Sequence, residues 1–203
     1  MTSKKKDKYD RILDAAQRIF AEHGFHGSQV SRIAKAAGVA DGTIYLYFDN
    51  KEHILVSLFR QRLGELVSLL GSSLSDEDPA DVALRQVCEI HYGQLEQNVD
   101  LAYVTQIELR QSTLELRREI GLAVKPYLAM IEHILERGVR EGAFRSDLDI
   151  KLTRQLLFGA MDEVVTSWLV AGRKYSLSAQ AEGTVAFFLR GLQSCGERSC
   201  GPS

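Results

Sequence analysis

Residues 38–55 read GVADGTIYLYFDNKEHIL, and the run at their centre, Thr43-Ile44-Tyr45-Leu46-Tyr47-Phe48, is dominated by β-branched and aromatic side chains. On intrinsic preference alone that composition belongs in a strand. The flanking sequence argues otherwise. In KYDRILDAAQRIFAEHGF, Ile12, Leu13, Ala16, Ile19 and Phe20 recur at the spacing of one helical face, and Gly24 stands where a helix stops. A shorter helix follows in SQVSRIAKAA, with Ser28 as its expected N-cap and Gly38 as its terminator.

Helical periodicity resumes from Lys51 to about Ser73, with Asp49 or Asn50 as cap. The six-residue run is therefore expected to be a short helix from about Gly42 to Tyr47, capped by Asp41, whose carboxylate can accept first-turn amides. Ile44 and Phe48, four apart, then face inward, while Thr43, Tyr45, Leu46 and Tyr47 face outward. A short helix, a Gly38-Val39-Ala40 break and a second short helix with an apolar, aromatic outer face make a helix-turn-helix suited to a major groove. A plain antiparallel helical corner with its tyrosines packed under another element has the same periodicity.

Further helices are expected at Val82 to about Gln97, Asp100–Arg110, Thr113–Glu141, Asp149–Ala171 and Ser176–Ser194, with Pro126 kinking the longest or marking a joint. The fold class is thus all-α: an N-terminal three-helix helix-turn-helix domain over residues 1–52, a helical ligand-binding and dimerisation domain over 53–194, and a tail over 195–203. The segment Gln155–Gly172 carries only Asp162 and Glu163 as charges, so it is expected to be buried on nearly all sides.

The chain has 203 residues and a formal net charge of -2. Residues 1–60 hold ten Lys/Arg against seven Asp/Glu, and the remainder fifteen against twenty. A basic end on an acidic body points to an anionic polymer as partner. Cys88, Cys195 and Cys200 are odd in number and widely spaced, which suits a reducing cytosol rather than a disulfide framework. There is no apolar run long enough for a membrane span and no signal-peptide core, so a cytoplasmic protein that does not enter membranes is expected. No Gly-rich phosphate loop, nucleophile elbow or paired metal-ligand motif occurs, so neither catalytic nor metal-binding residues are assigned, no cofactor is expected, and the chain reads as a non-enzyme.

Across Tyr9–Leu58 the residues resemble the tetracycline-repressor (TetR) family of bacterial transcription regulators: a helix ending in Gly-Phe, an Ile-Ala turn, a Gly-Val joint, Gly-Thr-Ile-Tyr and Phe-x-x-Lys-Glu. ADGTIYLYF, YVTQIELRQSTLELRREI and FGAMDEVVTSWL are also similar to the branch of that family that governs fatty-acid degradation and senses long-chain acyl-coenzyme A, the FadR branch. The resemblance implies a homodimeric repressor on a palindromic double-stranded operator, released by its effector. Ser31 and Asp41 stand where basic residues are frequent in the family, which shifts electrostatic weight to the KKKDK arm and Lys51.

By resemblance and helical geometry together, Gly42 and Thr43 open the recognition helix. Leu46 or the Thr43 methyl meets thymine methyls, and Tyr45 and Tyr47 offer hydroxyls to bases or phosphates. Ser28, Gln29 and Lys51 are expected phosphate contacts, with Lys51 at a helix N-terminus. For the effector, Tyr103, Gln106 and Arg110 share a stripe at i, i+3 and i+7. With His91, Tyr127, Phe158 and Trp168 they are expected to line an apolar tunnel with a polar mouth, as acyl-coenzyme A requires. Gly159, Phe187, Phe188 and Gly191 are expected in the dimer interface. Other readings of the second domain are a sensor of a drug, free fatty acid or signal molecule, and a helical acyl-coenzyme A-processing enzyme.

Overall fold

The computed structural model describes residues 3–108 and 113–193. Arg110, Cys195, Cys200 and the 195–203 tail lie outside them. The all-α expectation holds: the elements are α1 (Ser3–His23), α2 (Val30–Ala37), α3 (Asp41–Ile44), α4 (Lys51–Ser73), α5 (Ala80–Gln97), α6 (Val99–Tyr103), a π-helical turn π1 (Val104–Glu108), α7 (Leu114–Arg140), α8 (Ile150–Val170) and α9 (Gln180–Leu192). They form two compact units, one of residues 1–66 and 95–125, the other of 67–94 and 126–203.

The first unit is built around the helical face seen in the sequence. Ile12, Leu13, Ala16 and Phe20 of α1 close with Ile33 and Ala34 of α2, Ile44 and Phe48, and Ile54, Leu55 and Leu58 of α4 into one buried cluster. Val104, Leu116 and Ile120 join it, so the same core takes in residues well beyond the first four helices. Truncating Ile44 or Phe48, both essentially without solvent exposure, would cost about 2–5 kcal/mol in lost transfer energy and cavity formation. That burial is what makes the strand-like run helical, because tertiary packing outweighs a per-residue preference of at most about 1 kcal/mol.

Gly38 ends α2 in the left-handed region, at φ 66°. The Val39 N–H returns to the Ala34 carbonyl at 3.0 Å, which closes the helix end and turns the chain into α3. Arg11 of α1 reaches across and donates to the Ala37 carbonyl at 2.5 Å, covering the negative end of α2.

Two expected caps are replaced. α2 begins at Val30, and Ser28 turns its hydroxyl inward, with the Gly24 carbonyl at 2.6 Å and the Ile19 carbonyl at 3.1 Å. α3 has extended Ala40 at its N-cap, so Asp41 sits inside the first turn and makes no side-chain cap bond; it acts there only as a charge at the positive end of the helix. Asn50 does cap α4, accepting the His53 N–H at 2.7 Å.

In the second unit α5, α7, α8 and α9 bury Leu84, Val87, Ile131, Leu135, Leu157, Met161, Val165 and Val185. Asp149 caps α8 through the Leu152 N–H at 3.0 Å. The single chain covers α8 on one side only. Leu152, Leu156, Gly159, Glu163, Ser167 and Val170 lie exposed along one face of it, with Leu156 at 58% and Val170 at 78%. Packing within the chain covers only the Leu157, Met161, Val165 and Trp168 side.

Candidate nucleic-acid interface and ligand cleft

The outer face of the short helix is open. Tyr45 and Leu46 are 58% and 75% exposed, Gly42 and Gln29 are exposed, and Thr43 is half-buried. Nothing lies within 4 Å of where a Gly42 side chain would begin, so backbone and outer side chains alike are accessible to a flat or grooved partner. α3 proper ends at Ile44; the Tyr47 and Phe48 amides bond back to the Ile44 carbonyl at 2.9 and 3.0 Å, and so carry the turn on.

Tyr47 differs from its neighbours. It is half-buried, its ring centroid lies 6.3 Å from that of Tyr9, and Lys5 Nζ stands 5.8 Å over its face. Tyr9 in turn stacks on Phe48 at 5.0 Å. The aromatic column thereby fixes α1 against the turn after α3 and holds part of the basic N-terminal arm beside the exposed face.

Ser28 is 4% exposed and its hydroxyl is committed to backbone carbonyls, so it offers no side chain to a phosphate. The physical reason is the tight loop after α1, whose carbonyls need a donor. Lys51 meets the same need: Nζ donates to the Phe25, His26 and Ser28 carbonyls at 2.7, 3.3 and 3.1 Å and sits 4.6 Å over the Phe25 ring. All three donors of the ammonium are used inside the unit. Its charge remains beside the start of α4, but its principal work is to tie the α1–α2 loop.

A polar chain that the sequence did not reveal runs beneath this module. Gln17, 6% exposed on α1, donates to Asn98 Oδ1 at 2.8 Å and accepts from Arg62 Nε at 3.0 Å. Arg62 also pairs with Asp14 and with Glu65, whose carboxylates raise the guanidinium pKa against the opposing effect of burial. Asn98 caps α6 through the Leu101 N–H at 3.2 Å.

The expected ligand-lining residues fall in different places. Tyr103 closes α6 in the first unit and Gln106 lies in π1, 2% exposed, while Arg110 is outside the described residues. Gln106 thus sits in a π turn, outside the α-helical register assumed from Tyr103. His91, Tyr127, Phe158 and Trp168 all lie in the second unit. There Tyr127 Oη is 3.1 Å from His91 Nδ1, the two rings stack at 5.8 Å, and Phe158 meets the Tyr127 ring edge-on at 5.9 Å. Trp168 is committed elsewhere, its indole N–H donating to the Tyr175 carbonyl at 2.9 Å.

Burial governs the chemistry of this cluster. It pulls the His91 imidazole down to about 4 and raises the Tyr127 phenol, so both are neutral at physiological pH. Cys88, with its sulfur 3.7 Å from that of Met161, is pushed up to about 12 by burial and is therefore an unreactive thiol.

The same unit holds a cleft of about 420 Å³, lined on its apolar side by Leu74, Ala83, Pro126, Ala129, Met130 and Ile134, with Ser75, Asp76, His133 and Arg137 at its polar end. Arg137 is 4% exposed; it donates to the Ser75 carbonyl at 3.1 Å and faces Asp76 at 3.6 Å. Arg137 is thus a buried arginine at the end of an apolar cleft, and no motif in the sequence marks it.

Residues 12–58 match the family described as bacterial regulatory proteins, tetR family, and residues 59–191 match YsiA-like protein, C-terminal region. The chain is 44% identical to the fatty acid metabolism regulator protein of Bacillus subtilis (strain 168) over 94% of its own length and 98% of that protein's. The crystal structure of the transcriptional regulator FadR from Bacillus subtilis in complex with stearoyl-CoA superposes with a TM-score of 0.88 at 44% identity, covering 91% of this chain and 100% of the other. The solved structure of the fatty acid degradation regulator FadR from Bacillus halodurans gives 0.87 at 45% identity, with the same coverage. With a helix-turn-helix whose outer face is open, and a match spanning nearly its whole length, this chain belongs to the TetR family of bacterial regulatory proteins.

Proposed function

We propose that this chain is a homodimeric repressor of fatty-acid degradation genes that leaves its operator when a long-chain acyl-coenzyme A binds. The observation that carries the reading is 44% identity, over nearly all of both chains, to a fatty acid metabolism regulator, together with a relative of equal identity crystallised with stearoyl-CoA. DNA reading is assigned to residues 1–52. Gly42, Thr43, Tyr45 and Leu46 form the base-facing surface; Gln29 and the N-terminal arm meet phosphates; Tyr47 acts from its packed position; and Lys51 acts chiefly by shaping the loop. Residues 53–194 take the effector and the second subunit.

The dimer is assigned to the open faces of α8 and α9. Leu152 and Leu156, with Phe187 at 73% exposure and Val170 beyond Glu163 and Ser167, are exposed apolar side chains that a two-fold partner would cover. Gly159 and Gly191 on the same helices have open space where a side chain would be, which permits close approach of a partner helix. Effector binding then favours a dimer whose recognition helices are wrongly spaced for successive major grooves. A tenfold loss of operator affinity needs only about 1.4 kcal/mol of preference for that state.

Selection of bound sequences from random DNA, repeated with a panel of acyl-coenzyme A thioesters, tests the proposal. A palindromic site lost on adding long-chain thioesters is the expected result. A palindrome unaffected by saturating thioester would leave a repressor with a different hydrophobic effector, and turnover of the thioester would make the chain an enzyme.

A further inference from the structure

His91 has one ring nitrogen too many for the partners it is given. It is 6% exposed, Nδ1 is bonded to Tyr127 Oη at 3.1 Å, and Nε2 is sealed from solvent with no hydrogen-bond partner among the described residues. Tyr127 is 1% exposed, and His91 Nδ1 is the hydrogen-bond partner described for its hydroxyl. The pairing that leaves least unsatisfied has the phenol donating to Nδ1. The imidazole proton must then reside on Nε2, as a donor aimed at nothing. A buried donor without an acceptor is unfavourable and calls for an explanation.

The surroundings define what the acceptor can be. Tyr127, Tyr92 and Phe158 wall the cluster with aromatic rings. No ion pair involving His91 is found among the described residues, and the ring stays neutral. A carboxylate or phosphate brought here would be desolvated beside an uncharged donor, which strongly disfavours it. A neutral carbonyl oxygen carries no such penalty. The 420 Å³ cleft of the same unit is lined by Pro126, the residue that precedes Tyr127 on α7, and by the α7 face to which Pro126 belongs.

We infer that His91 Nε2–H is the donor that receives the thioester carbonyl oxygen of the effector, with Tyr127 holding the imidazole in the required tautomer. This rests on the acyl-coenzyme A reading above and assigns to His91 the discrimination of an acyl thioester from ligands of the same length that lack the carbonyl. Tyr127 is the positioning residue, and Phe158 fixes the Tyr127 ring.

The test compares stearoyl-CoA with S-octadecyl-CoA, a thioether of equal length without the carbonyl oxygen, by calorimetry on the full chain. The wild type is expected to bind the thioester on the order of tenfold more tightly, the equivalent of one buried hydrogen bond. His91→Phe should bind the two ligands equally, and His91→Gln, which keeps an N–H near the Nε2 position, should recover part of the preference. A readout independent of any variant is the 15N-histidine spectrum of the wild type: the Nε2 signal of one neutral histidine should shift with stearoyl-CoA and not with S-octadecyl-CoA. Equal affinities, or the same Nε2 shift with both ligands, would overturn the assignment while leaving the effector reading intact. No binding of stearoyl-CoA at all would remove both.

Discussion

Gln17 on α1 donates its amide to Asn98 Oδ1 at 2.8 Å, and that same oxygen accepts the Leu101 N–H that starts α6. One side chain therefore links the first helix of the DNA-reading module to the cap of a helix more than seventy residues downstream in the chain. Asn98 immediately follows α5, the helix that carries His91. Gln17 accepts from Arg62 as well, so it is satisfied on both sides of its amide.

Gln17→Leu should consequently cost more than a surface change. Removing it leaves Arg62 Nε and Asn98 Oδ1 short of a partner in a part-buried setting, and a loss of about 1–3 kcal/mol is expected. Urea unfolding measures that loss. Operator binding with and without stearoyl-CoA should also show a smaller effector response than in the wild type. A variant with wild-type stability and response would mean that the link carries neither.

Lys51→Met tests the division between contact and scaffold. Three carbonyls each lose the ammonium donor, so unfolding free energy should fall by about 1–3 kcal/mol before any DNA is added. A lysine serving phosphates alone would leave stability untouched and flatten the salt dependence of binding by about one unit of slope.

Leu46→Ala and Tyr45→Ala are the complementary pair. Both side chains are largely exposed, so stability should change by no more than about 0.5 kcal/mol. Operator affinity, measured by fluorescence anisotropy, should drop at least severalfold. Tyr47→Ala should instead lower both quantities, because its ring packs with Tyr9; Tyr47→Phe isolates the hydroxyl.

The buried imidazole predicts a pH dependence of stability. His91 has its folded pKa lowered from 6.5 to about 4 by burial, so between those values the unfolded chain binds more protons than the folded one. The contribution is fully favourable above pH 6.5 and is lost as pH falls toward 4. Between pH 7 and pH 5 the expected loss is about 2 kcal/mol, from roughly 1.4 kcal/mol per unit. His91→Gln should lose less stability over the same interval; identical pH profiles would show that another group controls the acid limb.

Leu156→Asp combined with Phe187→Asp places charge on the exposed faces of α8 and α9. Neither position is covered within the chain, so the monomer should stay folded by circular dichroism. Sedimentation should show a shift from dimer to monomer, and operator affinity should fall with it. A persistent dimer would place the interface elsewhere.

Much of the architecture is legible because periodicity is a one-dimensional record of burial. Ile12, Leu13, Ala16, Ile19 and Phe20 announce a helix face, and all but the half-buried Ile19 are buried. Ile44 and Phe48 were readable for the same reason, once the flanking helices had overruled strand propensity. The caps were less legible. Ser28 and Asn50 have equal capping ability, yet one turns to the loop carbonyls and the other caps α4. The π turn that carries Gln106 was not legible, because spacing that assumes an α-helix holds no sign of it.

By itself, then, the sequence determined the helical class, the inward set of the first unit and the exposed Tyr45-Leu46 surface, since each follows from local spacing and the chemistry of neighbouring residues. Only the tertiary structure decided that Lys51 is a loop tie, that Gln17 bonds Asn98, that one face of α8 lies open, and that His91 keeps an unmatched donor. Those facts depend on which polar atoms from distant parts of the chain are brought within 3 Å of each other as water is excluded. Spacing along one segment holds no record of them.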